Sequence, residues 1–122
     1  MGFLVWAAAG YVVATKFADC WTTARYVRTA DNETNALASR LMRRFGFGRV
    51  VWGIFAFAAL GTTALAAAAL AAADASVAVG YVLVALFVGS VQLAVARTNC
   101  TGRYNAITRL VLRAHTRGLL RR

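Results

Sequence analysis

The chain has 122 residues, 61% of them hydrophobic, no proline, and a formal net charge of +10 from 14 basic residues against 4 acids. A mean hydropathy of +0.62 is too apolar for an ordinary soluble domain, so a soluble nucleic-acid binder, which this basicity alone would suit, is excluded. One small polytopic membrane domain with strongly basic ends satisfies both facts.

Residues 1–15, MGFLVWAAAGYVVAT, are apolar. No basic region precedes them and the run continues past Ala14, which predicts an uncleaved first helix and not a signal peptide. Lys16 and Asp19 interrupt the run at a helical spacing of three and can pair. Such a pair fits near a membrane interface, with the lysine snorkelling. The first span is expected over about residues 2–27, with its polar inner third turned toward protein.

The connector at 28–49 is polar and basic. TADNET at 29–34 reads as a turn, and a short amphipathic helix should follow with Asn32 or Thr34 as its cap. Leu37, Leu41 and Phe45 recur every four residues, with Arg40, Arg43 and Arg44 off that stripe. This is the pattern of a helix lying along a membrane surface. Glycines in FGFG at 45–48 end it. Phe45, Phe47 and Trp52 sit where an interfacial aromatic belt is expected.

Val50–Ala73 holds 24 residues and no charge. At about 1.5 Å per residue it reaches ~36 Å, beyond the ~30 Å hydrocarbon core of a bilayer. Its second half is nearly all alanine, and Gly53 and Gly61 add small residues, so close packing on another helix is expected. A tight turn at Asp74-Ala75-Ser76 leads to a third span over about residues 75–96. Gln92 is its one strongly polar residue, and Arg97 closes it. In the tail at 97–122, Ile107, Leu110, Val111 and Ala114 share a face while Arg109, Arg113, Arg117 and Arg121 repeat along its flank. The fold class expected is all-α, an integral membrane protein of three transmembrane helices with short interfacial helices.

Twelve of the arginines lie in the connector and the tail, and none in the 74–76 turn. The positive-inside rule therefore places both basic segments, and the C-terminus, on the cytoplasmic or interior side of a cell membrane or of a virion internal membrane, with the N-terminus outside. Cys20 and Cys100 match no metal or redox spacing and are expected as free thiols near the same membrane face.

Motifs for chemistry are few. His115, the only histidine, has no acidic or cysteine partner near it in the chain. There is no HExxH, no GxSxG and no phosphate-binding glycine loop; no catalytic residue, metal or cofactor is expected. One polar constellation stands out: Asp19, Thr22 and Thr23 on one helical face, then Glu33 and Asn35. An intramembrane carboxylate requires a partner, and the candidates are Lys16, Gln92 and Asn105.

These residues also carry a resemblance. Asp-Cys-Trp-Thr-Thr at 19–23, Glu-Thr-Asn-Ala-Leu-Ala at 33–38 and an Asn after the last span resemble an uncharacterised family of small polytopic membrane proteins. That family's pattern is an Asp followed by Thr-Thr, then Glu-x-Asn-Pro, on three or four helices. The resemblance covers about residues 15–60 and, weakly, 99–106; Ala36 stands where the family has Pro. It implies a membrane architecture and a shared polar cluster, and no activity.

The function expected is that of a non-enzymatic structural or interaction protein of a membrane. Its basic material, Arg40, Arg43, Arg44, Arg103, Arg109, Arg113, Arg117 and Arg121, would bind anionic lipid, nucleic acid or an acidic protein surface. A membrane protein of an internal-membrane virus or an accessory subunit of a larger complex fits, with membrane lipids, other membrane or capsid proteins and nucleic acid as the partners considered. The alternative is an oligomeric intramembrane enzyme or carrier built on Asp19, Thr22 and Thr23; three spans enclose little volume alone. A membrane-anchored nucleic-acid regulator lacks helix-turn-helix spacing and base-reading aromatics.

Overall fold

A computed structural model describes residues 1–27 and 36–102. All of its elements are helical: α1 (Gly2–Thr22), which runs on as a π-helical turn over Thr23–Val27, α2 (Ala36–Phe45), α3 (Phe47–Ala71) and α4 (Ala75–Thr101). Gly2–Val27, Phe47–Ala71 and Ala75–Thr101 are each long and apolar enough to cross a membrane. The spans differ from the expected bounds where local chemistry decides. Gly46, at φ 93°, ends α2 and at once caps α3, so the span begins at Phe47 and not at Val50. Ala73 turns left-handed at φ 52° and Asp74 caps α4, so Ala75 and Ser76 belong to the helix and not to the turn. Arg97 does not close α4; the helix continues to Thr101 and stops at Gly102 in the left-handed conformation.

α1 and α4 pack side by side in the same direction, since Tyr11 meets Ser90, Thr15 meets Gln92 and Thr22 meets Asn99. α3 runs against both. The α1 seam follows Val5, Ala8, Val12, Thr15, Asp19 and Thr22, a spacing of alternating three and four residues. On α4 the matching row is Ala78, Val82, Ala85, Gly89, Gln92, Ala96 and Asn99. A mean step of 3.5 keeps the two rows in register, and small side chains let the backbones approach without a hydrophobic drive from the surrounding lipid. Near the Asp74 turn the seam is apolar, with Val5, Ala9, Ala66 and Ala78 buried together. Toward the opposite, basic end it becomes polar.

The alanine-rich half of α3 is less engaged than its composition suggests. Ala66 and Ala69 are buried, while Ala64, Ala67, Ala68 and Ala71 are exposed. α3 packs mainly on α1, and about half of its residues are exposed.

α2 lies against the start of α3. Cys20, Ala38, Met42, Val50 and Val51 form one buried cluster, with Leu41 packed on it. The expected Leu37–Leu41–Phe45 stripe therefore divides. Ala38 and Met42, on its flank, hold the helix to the protein, whereas Leu37 and Phe45 are exposed. Arg40, Arg43 and Arg44 fall within about 100° on the far side of the helix.

Candidate functional site

The polar end of the α1–α4 seam gathers most of the constellation seen in the sequence; Asp19 has its expected partner Lys16, whereas Gln92 pairs elsewhere. Asp19 pairs with Lys16 across 2.7 Å, within a single turn of α1. Both side chains are largely covered, at 14% and 18% exposure. Gln92 does not reach Asp19. It lies level with Thr15, one turn nearer the Asp74 end, and its amide oxygen is 2.9 Å from the Thr15 hydroxyl. The parallel register of the seam causes this: the chain offset that brings Thr22 to Asn99 brings Thr15 to Gln92.

Thr15 has one proton and a second acceptor, the Tyr11 carbonyl, also at 2.9 Å. Thr15 Oγ1 donates to the Gln92 amide oxygen and also lies 3.1 Å from the Val12 carbonyl of its own helix.

Thr22 and Thr23 both receive Asn99. Its Nδ2 group donates to Thr23 at 3.0 Å and to Thr22 at 3.4 Å, while Thr22 donates back to the Asp19 carbonyl at 3.0 Å. Adjacent residues of an α-helix point about 100° apart. α1 passes into its π-helical turn at Thr23, where two successive hydroxyls turn to one amide. Short π segments of this kind frequently accompany functional sites.

Asn99 is the residue missed by the sequence reading, which looked for the partner at Asn105. The signal for it was the 3.5-residue row on α4, on which Asn99 falls two steps after Gln92 and Asn105 does not fall. Glu33, Asn35 and Asn105, and the tail arginines Arg103, Arg109, Arg113, Arg117 and Arg121, lie outside the described residues, as do the caps Asn32 and Thr34.

Chemically the seam is closed. Among the described residues every buried side-chain nitrogen and oxygen has a hydrogen-bond partner, and no three His, Cys, Asp or Glu side chains gather. Each interhelical bond in a membrane is worth about 0.6 kcal/mol on average, so the three contacts contribute alignment more than strength. Cys20 is buried in the cluster under α2 and Cys100 is exposed; both are free.

The basic end carries the other candidate surface. Arg25, Arg40, Arg43, Arg44, Arg49 and Arg97 are all exposed there. Arg25 lies over the Trp21 ring at 5.6 Å and Arg44 over Phe45 at 5.3 Å. The Asp74 end has a different character: Asp74, bonded to the amide and hydroxyl of Ser76, is the only charged side chain there among the described residues. No family model, curated protein or solved structure matches this chain.

Proposed function

We propose that this is a non-enzymatic structural or interaction protein of a membrane, whose basic connector and tail grip a polyanion at one membrane face. The observation that carries the reading is the division of α2. One flank, Ala38 and Met42, is fixed to the bundle; Leu37 and Phe45 remain for the acyl boundary; Arg40, Arg43 and Arg44 lie on the side away from the bundle, with Arg44 over the Phe45 ring. A helix held in this way presents its guanidinium groups at phosphate depth instead of merely floating there. Each basic residue near an anionic surface adds about 1 kcal/mol, and the same groups suit a nucleic-acid backbone or an acidic protein face. The role is that of a small membrane component holding lipid to a genome, to a protein shell or to a larger complex.

The test uses the whole protein in vesicles of zwitterionic lipid, offered duplex DNA, anionic vesicles and polyglutamate in turn. At least one is captured, and capture weakens steeply as salt rises. Replacing Arg40, Arg43 and Arg44 by Gln lowers capture, and replacing Arg109, Arg113, Arg117 and Arg121 by Gln lowers it further. Capture of none of the three, or capture indifferent to salt and to both sets of substitutions, rejects the proposal.

A further inference from the structure

α1 and α3 touch near both ends and part between them. At the basic end Phe17 meets Trp52 and Phe55, with ring centroids 5.7–6.0 Å apart across the trio. At the other end Val5 packs on Ala66 and Leu70. Between these contacts lies an apolar groove of about 580 Å³, lined on α1 from Trp6 through Gly10 and Ala14 to Phe17 and on α3 by Phe55 and Thr63. Its floor is small: a Cβ on Gly10 would meet nothing within 4 Å. Trp6 and Phe17, each 47% exposed, stand at its two ends.

We infer that this groove holds one acyl chain of an anionic phospholipid whose headgroup rests on Arg49. The shape of the groove selects the occupant. From Trp6 to Phe17 it follows α1 for about 16 Å. A second copy's helix would ride on the projecting Trp6 and Phe17 rings and leave the Gly10–Ala14 waist unfilled, whereas a polymethylene chain fits the waist. Its length is about half the depth of a bilayer's ~30 Å hydrocarbon core, and its volume falls in the ordinary range of ligand pockets, roughly 300–1,000 Å³.

Charge selects the headgroup. Arg49, Trp52 and Phe55 lie three residues apart on one side of α3. Arg49 is exposed and is in no ion pair with any described residue. The half-exposed rings of Trp52 and Phe17 make an apolar ramp from it into the groove. At the opposite end the only charged side chain among the described residues is the Asp74 carboxylate, which repels an anionic headgroup. The inference rests on the reading of the chain as a membrane protein whose basic side binds anions, and it adds a defined intramembrane site.

The experiment reconstitutes the full chain in phosphatidylcholine vesicles containing a trace of phosphatidylglycerol that bears a diazirine on one acyl chain. Cross-linked residues are then mapped. Leu83 and Phe87 on α4, exposed at 62% and 70%, report bulk lipid. The α1 segment from Trp6 to Phe17 is labelled several-fold more than these two. Ala14→Leu, at an exposed position, brings that labelling down to the α4 level while α4 labelling is unchanged. Arg49→Gln reduces the excess about fivefold, the factor one basic residue near a bilayer surface is worth, and the same probe on phosphatidylcholine gives the reduced level from the start.

Equal labelling of the groove and α4 overturns the site, and so does an excess indifferent to both headgroup and Arg49. Rapid disulfide cross-linking of two chains through Gly10→Cys gives the groove to a second copy and overturns it too. Absence of labelling on α4 itself removes the membrane reading beneath the inference, an outcome distinct from loss of the groove signal alone.

Discussion

Gly89 shows what one missing side chain does for the seam. Among the described glycines it is the one whose place is taken from across the interface: a Cβ there would lie less than 3.0 Å from the Tyr11 ring. The ring occupies that notch, and its hydroxyl is 3.4 Å from the Ser90 hydroxyl. Gly89→Ala therefore pushes the ring out, parts α1 from α4 locally and costs about 1–3 kcal/mol, as overpacking does. Tyr11→Ala removes the obstacle. The double variant should be less destabilised than the sum of the two single variants, because the second methyl enters space the first change has emptied. Strict additivity in detergent unfolding would show that the two residues do not share the notch.

At the level of elements, α4 begins on a single carboxylate. Asp74 accepts from the Ser76 amide at 2.7 Å and from its hydroxyl at 2.6 Å. These two bonds, the side-chain one foremost, hold its pKa below the ordinary carboxylate value. The sign follows from the lowered value. The folded state prefers the ionised form, so the cap's contribution is complete above the unfolded pKa of about 3.9 and is lost as pH falls through the lower folded value. Asp74→Ala should abolish that acid-side dependence and fray the first turn of α4 in hydrogen exchange. An unchanged acid profile would mean that the cap forms with either protonation state.

The element boundaries also mark what the sequence could reveal. Apolar length located the three spans, and glycine located the end of α2; the end of α4, expected at Arg97, lies at Gly102. The Ala73 turn was not legible, because alanine carries no preference for a left-handed conformation. Nor was the face of α2 that meets the bundle. Leu37 and Phe45 are as apolar as Met42, and periodicity cannot say whether an apolar stripe meets protein or lipid. The polar cluster was legible as residue types on a face, but its pairing was not, since that depends on the α1–α4 register. The seven-residue row from Ala78 to Asn99 encodes that register only once α1 is known to be its partner.

At the scale of the whole molecule the asymmetry of charge makes the strongest claim. α1 and α4 run in the same direction and α3 returns between them, so Gly2, Ala71 and Asp74 lie at one end of the bundle and Val27, Phe47 and Thr101 at the other. Every arginine among the described residues is at the second end. Carrying six guanidinium groups of the described chain across a bilayer in the opposite orientation would cost about 2.5–3.5 kcal/mol for each one that lodged at mid-membrane, whereas leaving Asp74 outside costs nothing comparable. The expected topology is therefore the Asp74 turn outside and the connector and C-terminus inside. A cysteine-free parent, with Cys20→Ala to keep its buried site apolar and Cys100→Ser, allows single thiols to report it. A membrane-impermeant maleimide applied from outside intact cells should modify Ala75→Cys, which sits beside the cap without disturbing it. It should leave a cysteine appended after Arg122 unmodified until the membrane is opened. Labelling of the appended cysteine with protection of position 75 would invert the molecule. Labelling of both would mean that α1, α3 and α4 do not all cross.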